Sequence, residues 1–303
     1  MLGMRDRPPS ATSALLRLMV LGLGLAGSFV SAEDWPQWRG ANRDGVWRED
    51  GILETFPTNG LPALWRVAVG AGYSGPAVAG GRVFLMDRQT TNAPDTEVKT
   101  SWDFRDKTMG LERVLAVDDA TGKVLWTHSY LCKYSAAYGS GPRATPTVEG
   151  DRVYTLGTMG DLRCLEAATG NVLWQKNLVR DYDAKVPQYG FASQPLVDGE
   201  RLIVMAGGTN QAVVAFDRHT GKELWKALDA VEPGYSAPLI QILNGQRQLI
   251  VWHAGGLAGL APETGKPLWF VEHPAYAGLA ITTPSIEGNR LAVSSQYEGA
   301  LML

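Results

Sequence analysis

An eleven-residue pattern that recurs four times constrains the fold of this chain more than any other feature of its sequence. Its copies align without gaps as AVDDATGKVLW (116–126), CLEAATGNVLW (164–174), AFDRHTGKELW (215–225) and GLAPETGKPLW (259–269). The pattern ends in tryptophans spaced 48, 51 and 44 residues apart, namely Trp126, Trp174, Trp225 and Trp269. Its Thr-Gly pair places glycines at Gly122, Gly170, Gly221 and Gly265. A period in the forties is typical of propeller repeats.

A column of prolines runs out of phase with this pattern, at Pro76, Pro146, Pro195, Pro238 and Pro284. Two short apolar stretches separated by a Gly-containing turn follow each proline, which predicts two strands. The Thr-Gly pair predicts a turn between two further strands, so each unit has four strands, which we label A to D. The fold class predicted is all-β, a β-propeller of four-stranded blades with about 4.5 blades visible. We place the blades at about 70–127, 143–176, 192–228, 236–271 and 282–303.

The two ends of the 303-residue chain differ from the repeats. Residues 1–32 have the charged start, apolar middle and small-residue end of a secretory signal peptide, and a Trp-rich lead-in follows at 33–60. The propeller repeats cover 61–303, and the last unit stops at the start of its third strand. This favours a fragment of a seven- or eight-bladed propeller. Closure with five blades is the alternative, in which 61–69 is a strand D that completes the last blade.

The repeat A-x-D-x-x-T-G-K-x-x-W resembles the tryptophan-docking repeat of PQQ-like, quinoprotein-type β-propellers, and 116–126 matches it fully. The opening DWPQWRGANRDGVW (34–47) is also similar to the start of PQQ-like propellers of bacterial envelope proteins. The resemblance implies that the four tryptophans dock blade on blade. It also implies one of two roles, a BamB-like scaffold or a dehydrogenase that uses pyrroloquinoline quinone and Ca²⁺.

Catalytic and metal-binding motifs are missing from the sequence, which favours the scaffold. No haem-attachment motif, nucleophile elbow or metal-ligand spacing of histidines occurs, so we predict no catalytic residue, no metal site and no cofactor. The two cysteines, Cys132 and Cys164, are not the adjacent pair often found in quinoprotein dehydrogenases. Whether they form a disulfide is open at this point. Pyrroloquinoline quinone with Ca²⁺ remains the alternative cofactor prediction.

Five tyrosines precede the proline column, at Tyr73, Tyr138, Tyr189, Tyr235 and Tyr276. Because the D–A and B–C connections of four-stranded blades emerge at the same end, we expect these tyrosines around one mouth of the central channel. An insertion at about 88–112, which carries Trp102, is expected to be a B–C loop on the same face. These aromatic side chains predict a binding face for a flat ligand, a sugar or a peptide. Loop packing and a plain surface excursion are the alternatives.

The sequence therefore predicts an exported, soluble protein of the periplasm or the extracellular space that acts as a non-catalytic binding scaffold. An envelope protein or peptide is the expected partner. A glycan partner, and with it a carbohydrate-binding module, is a further alternative. The net charge of −3 and the absence of Lys/Arg runs disfavour nucleic acid. We expect no stable membrane span after signal removal, because the apolar run at 18–30 is short.

Overall fold

The computed structural model describes residues 33–51, 53–90, 105–106 and 109–303. Those residues form 21 strands, one short α-helix α1 (Leu178–Tyr182) and one 3₁₀ turn (Tyr276–Gly278). The strands in chain order are β1 (Ala77–Ala79), β2 (Arg82–Thr90), β3 (Arg105–Asp106), β4 (Met109–Asp118), β5 (Val124–Lys133), β6 (Ala136–Ala137), β7 (Thr147–Glu149), β8 (Arg152–Leu156), β9 (Asp161–Glu166), β10 (Val172–Asn177), β11 (Leu196–Asp198), β12 (Arg201–Met205), β13 (Val213–Asp217), β14 (Glu223–Ala227), β15 (Leu239–Leu243), β16 (Gln246–His253), β17 (Gly256–Leu260), β18 (Pro267–Glu272), β19 (Ser285–Glu287), β20 (Arg290–Ser295) and β21 (Gly299–Met302).

The strands pair as antiparallel meanders, one for each repeat. Four sheets have four strands each, β1-β2-β4-β5, β7 to β10, β11 to β14 and β15 to β18, and we number them blades 1 to 4. A three-stranded sheet of β19, β20 and β21 follows as blade 5, and β3 pairs with β6 in a two-stranded sheet. These sheets confirm the predicted all-β propeller of four-stranded blades.

Each proline of the column stands immediately before strand A of its blade, from Pro76 before β1 to Pro284 before β19. Proline lacks an amide donor, so the first position of an innermost strand accommodates it without loss of a ladder hydrogen bond. The apolar core lies between the blades in four clusters. One cluster joins blades 1 and 2 around Phe84 and Val153, and the next joins blades 2 and 3 around Leu162 and Phe216.

The lead-in crosses the inner strands of all five blades. Trp35 exchanges two main-chain hydrogen bonds with Val78 of β1, at 2.8 and 2.9 Å, and the Val148 amide of β7 donates to the Pro36 carbonyl at 2.8 Å. The buried Arg43 donates to the carbonyls of Pro195 and Pro238, which precede the inner strands of blades 3 and 4. The Trp38 indole donates to the Thr283 hydroxyl beside blade 5, at 3.2 Å. The lead-in therefore links the blades at their axis.

Two segments differ from the sequence-based expectation. The predicted loop at 88–112 begins and ends as strand, because β2 runs to Thr90 and β4 starts at Met109, and their register pairs Thr90 with Gly110. In the five-blade alternative 61–69 is a strand D, but these residues form no strand. Trp65 of this segment nevertheless docks on blade 1, as described below. The predicted signal peptide lies outside the described residues. No helix in the part of the chain that the structure describes has the length and apolarity to span a membrane.

Candidate functional site

The five predicted tyrosines, which we call the tyrosine face, all lie in segments that lead into a strand A. Tyr73 precedes β1, Tyr138 follows β6, and the others lie in the D–A connections before β11, β15 and β19. Tyr138 is 59% exposed, whereas Tyr235 is only 8% exposed. Burial raises the pKa of Tyr235 to about 12, so this hydroxyl stays protonated at neutral pH.

Three of the five side chains form a continuous aromatic row. The Tyr138 and Tyr189 rings stack with centroids 5.8 Å apart and 19° between their planes. Tyr189 meets Tyr235 edge on, with a centroid distance of 5.8 Å, and the Tyr189 amide donates to the Tyr235 hydroxyl at 3.3 Å. Stacked and edge-to-face pairs at these distances are favourable aromatic geometries. The row therefore connects the loops that enter blades 2, 3 and 4.

The remaining two tyrosines lie apart from this row. Tyr73 donates to the Ser140 hydroxyl at 3.3 Å, and the Arg143 guanidinium lies 5.1 Å from its ring centroid. Tyr276 instead packs on Tyr297 of blade 5, with centroids 5.0 Å apart. Of the five tyrosines expected around one mouth of the channel, three thus form a row, and Tyr73 and Tyr276 have other partners.

Arg143 fixes the loop that presents Tyr138. Its Nη2 donates to the carbonyls of Ala137 and Tyr138, and its Nη1 donates to that of Gly141 at 2.6 Å. Tyr138 has a left-handed backbone with φ of 50°, which is uncommon for a non-glycine residue and needs support from its surroundings. Burial lowers the pKa of Arg143, and the carbonyl dipoles around it offset the loss of water. The guanidinium holds the loop in a conformation that exposes the Tyr138 ring.

The insertion of blade 1 reaches the same loop. Its strand β3 pairs with β6, directly before Tyr138, with Arg105 opposite Ala137. The Ala137 amide in turn donates to the Gln188 carbonyl at 2.7 Å, next to Tyr189. Trp102, which we predicted to contribute to this face, lies outside the described residues. The structure brings the end of the insertion to the stacked tyrosines.

The repeated tryptophans lie at the opposite end of the blades, where they bridge neighbours. Trp126 donates its indole N–H to the Ala167 carbonyl of blade 2 at 3.0 Å, and Trp174 donates to the Arg218 carbonyl of blade 3 at 2.9 Å. Trp225 reaches the Pro262 carbonyl of blade 4 at 3.1 Å. Trp65 makes the same contact with the Asp119 carbonyl of blade 1 at 2.7 Å, so it is a fifth member of the column. In each case the acceptor follows the Asp/Glu position of the repeat.

The repeated glycines complete these contacts. Gly122, Gly170, Gly221 and Gly265 all have φ between +69° and +75°. A Cβ at Gly170 would lie 2.5 Å from the Trp126 ring, which leaves no space for another residue. Trp269 differs from the other tryptophans because blade 5 has no C–D turn among the described residues. Its indole donates to Gln248 of its own blade at 2.6 Å.

The alternative cofactor, pyrroloquinoline quinone with Ca²⁺, would need a site for the calcium ion. Calcium binds where six to eight oxygens converge. In the described ranges, no group of three or more His, Cys, Asp or Glu side chains is arranged to hold a metal ion. We therefore derive no step through a quinone. The described Cys132 and Cys164 are both buried and unpaired, which answers the open question of a disulfide, and burial raises the pKa of both thiols.

Comparison with known proteins identifies the family. A family profile described as "Outer membrane protein assembly factor BamB" matches residues 110–303, more than half of the chain. The chain belongs to this BamB-like, PQQ-repeat family. It is 24% identical to the outer membrane protein assembly factor BamB of Burkholderia pseudomallei over 251 residues, which are 81% of this chain and 54% of that protein.

Quinoprotein dehydrogenases are similar to it as well. The chain is 33% identical to quinoprotein alcohol dehydrogenase PedH of Pseudomonas putida over 148 residues, 43% of this chain and 22% of PedH. It thus spans about a fifth of PedH and about half of the Burkholderia BamB. Among solved structures, BamB of Moraxella catarrhalis matches with a TM-score of 0.41 and 21% identity, covering 77% of this chain and 69% of that one. The chain is thus similar to both quinoprotein dehydrogenases and BamB proteins. These similarities do not decide between an enzyme and a scaffold.

Sequence reasoning missed the polar residues beneath the tyrosine face. Arg143 lies in an unremarkable Gly-Pro-Arg stretch three residues before the proline column, and its role depends on the folded loop. The sequence around Glu112 does give a hint of its position, because Glu112 and Arg113 are adjacent charged residues between Leu111 and Val114 in a strand. Two charges on opposite faces of a blade strand mean that one of them points towards a neighbouring blade.

Proposed function

We propose that this protein is a non-catalytic binding scaffold, exported to the bacterial envelope, whose tyrosine face holds an extended segment of an envelope protein. The observation that carries the proposal is the Tyr138–Tyr189–Tyr235 row. It joins three blade entrances, and it presents the 59% exposed Tyr138 from a braced loop. Tyrosine combines a large apolar area with a hydroxyl and loses little side-chain entropy on binding, which suits recognition of peptides. The similarity to outer membrane assembly factors supports a protein partner.

A peptide array tests this proposal with a defined probe. The array tiles the sequence of an unfolded bacterial outer-membrane β-barrel protein, and the full chain is added as purified protein. We expect binding peptides whose affinity falls about tenfold or more in Tyr138→Ala, as is usual for a hot-spot aromatic. Trp47→Ala is the matched control, because Trp47 is also 59% exposed but belongs to the lead-in. A folded chain that binds no peptide, or an equal loss in both variants, would exclude the tyrosine face as a peptide site.

A quinoprotein dehydrogenase is the second candidate, favoured by the 33% identity to PedH. The test is a titration of the full chain with pyrroloquinoline quinone and Ca²⁺, followed by tryptophan fluorescence and calorimetry. Saturable binding tighter than about 10 μM, roughly −7 kcal/mol, would replace the scaffold proposal and lead to a screen of alcohols and sugars. The carbohydrate-binding alternative predicts glycan-array signals that Tyr138→Ala removes.

A further inference from the structure

A buried carboxylate lies where blade 1 meets blade 2, below the stacked tyrosines. Glu112 of β4 is 0% exposed and receives three hydrogen bonds. Tyr130 donates to Oε2 at 2.6 Å, Tyr134 donates to Oε1, and the Thr158 amide donates to Oε1 at 3.1 Å. A carboxylate buried with this many donors is fully satisfied, whereas each donor would be costly to leave without an acceptor.

Two of these donors continue into the loops of the tyrosine face. Tyr134 lies directly before β6 and Tyr138, and its hydroxyl is 3.0 Å from the Thr158 hydroxyl. The Thr158 carbonyl accepts from the Phe191 amide at 2.9 Å, and the Thr158 methyl group packs against Gly190. The loop that ends at Phe191 carries Tyr189. The two loops whose tyrosines stack are thus both anchored through partners of Glu112.

Cationic side chains cover the same cluster. The Arg163 guanidinium lies 3.4 Å from the Tyr130 ring centroid, and the Arg88 guanidinium lies 3.7 Å from that of Tyr134. Arg88 and Arg163 are 2% and 8% exposed, so their charges lie in the same buried region as the carboxylate. Cations on aromatic faces are favourable when desolvated, and here they bring positive charge beside a buried anion.

We propose that Glu112 is a positioning residue of the tyrosine face, which sets the relative placement of the loops that carry Tyr138 and Tyr189. The inference rests on the proposed function of that face. An apolar side chain would fill the same volume, but it would not connect a loop of blade 1 to the B–C turn of blade 2. Loops held in their bound arrangement lose less entropy on binding, so the carboxylate increases affinity without touching the partner.

Hydrogen exchange of the full chain measures this role without a ligand. In Glu112→Leu, the Tyr130 and Tyr134 hydroxyls and the Thr158 amide lose their acceptor. We expect amides of 134–141 and 188–191 to exchange about tenfold faster or more, in line with the cost of unsatisfied buried donors. Amides of β12 in blade 3 should keep their rates. Glu112→Gln keeps one acceptor oxygen, so it should restore part of the protection, and it carries the test if Glu112→Leu does not fold.

Asp198→Asn is the matched control. Asp198 is also a buried carboxylate, 6% exposed and paired with Arg247, but it lies at the end of β11, away from the tyrosine face. We expect this variant to leave exchange of 134–141 and 188–191 within about twofold. Uniform acceleration across all blades in Glu112→Leu, or unchanged rates in both loops, would overturn the positioning role.

Peptide binding separates the two proposals. If wild type binds the outer-membrane peptides, Glu112→Leu should weaken the affinity by about three- to tenfold while Asp198→Asn does not. Unchanged affinity in Glu112→Leu, together with a loss in Tyr138→Ala, would reject the positioning role and keep the binding face. An absence of peptide binding in wild type would reject the binding face, and the exchange data would still decide whether Glu112 places the two loops.

Discussion

The two ends of the blades are held together by different kinds of contact. At the end with the C–D turns, the same Trp–Gly contact occurs at four successive positions, and the acceptor carbonyl is at the same place in each repeat. At the tyrosine face, single residues such as Glu112 and Arg143 hold loops that differ from blade to blade. The repeated contacts require only local sequence, while the single contacts require the whole fold.

The repeated contacts and the single contacts serve different purposes, the first for the architecture of the blades and the second for the shape of one face. A contact that recurs at four successive positions stabilises each junction in the same way, so it carries no information about a ligand. At the junction of blades 1 and 2 the Glu112 carboxylate accepts from two tyrosine hydroxyls near the tyrosine face, whereas the buried Asp198–Arg247 pair joins blades 3 and 4 at the end with the A–B turns. Buried ionic groups often add little net stability compared with apolar packing, and our hypothesis is that the Glu112 cluster serves to specify the geometry of the loops. For this reason we place function at the tyrosine face.

The largest expected effect tests the repeated contact. Gly170→Ala places a Cβ 2.5 Å from the Trp126 ring and puts alanine at φ of +75°. Backbone strain and overpacking together should lower the free energy of unfolding by about 3 kcal/mol. Urea unfolding followed by tryptophan fluorescence measures the change.

Gly150→Ala is the control that isolates the docking contact. Gly150 lies in the A–B turn of the same blade with φ of +59°, and a Cβ there meets nothing within 4 Å. We expect a loss of about 1 kcal/mol from backbone strain alone. Equal losses in the two variants would mean that the Trp–Gly contact adds nothing to the junction.

A second prediction concerns the lead-in, whose contacts are single rather than repeated. Arg43→Met keeps the aliphatic volume but removes the donors to the carbonyls of Pro195 and Pro238 and to Gln37. Burial lowers the pKa of Arg43 to about 9, so the cost of burying the charge offsets part of these hydrogen bonds. We expect a net loss of about 2 kcal/mol in urea unfolding.

Arg180→Met provides the comparison for this variant, since the Arg180 side chain is 72% exposed and pairs only with the neighbouring Asp181 among the described contacts. It should unfold at the same urea concentration as wild type. A matching shift in both variants would show that Arg43 contributes no more to the axis than a surface arginine.

The sequence predicted the architecture because the contacts that build it are periodic. The spacing of Trp126 to Trp269 and the proline column were enough to predict four-stranded blades. The role of Trp65 was not predicted, since it docks without belonging to a strand. Arg43 was missed because its acceptors lie more than a hundred residues away in the chain. No local pattern marks a side chain whose partners come from distant blades.

The candidate site was predictable only in its aromatic part. The position of the tyrosines before each proline placed them at one face, but their pairing depended on loop conformations. Tyr138 enters the row through a left-handed backbone that Arg143 supports, and Tyr276 is diverted by Tyr297 of blade 5. The ionic cluster of Glu112 depends on the insertion extending as strand rather than loop. Contacts between neighbouring blades determine how these side chains pair. A single sequence does not show which residues make those contacts.

The smallest expected effect is a pH dependence of the free energy of unfolding that one buried histidine of blade 4 causes. His253 closes β16, is 3% exposed, and accepts the Gly255 amide on Nδ1 at 3.1 Å. Burial lowers the pKa of His253 below its ordinary 6.5, so the folded chain holds it neutral while the unfolded chain takes up a proton. The unfolded state thus binds more protons below about pH 6.5, and the free energy of unfolding falls as the pH decreases.

His253→Phe removes this titration and keeps the stacking on Phe270, whose ring plane is inclined by 14°. Between pH 7.5 and 5.5 wild type should lose about 1 kcal/mol more than the variant, measured as the difference between their urea midpoints at each pH. His128, whose pKa is also lowered by burial, is present in both proteins and cancels in this difference. Parallel pH profiles for wild type and His253→Phe would show that His253 takes up its proton equally in the folded and unfolded states. In that case His253 would not be one of the single contacts that distinguish one blade from the next.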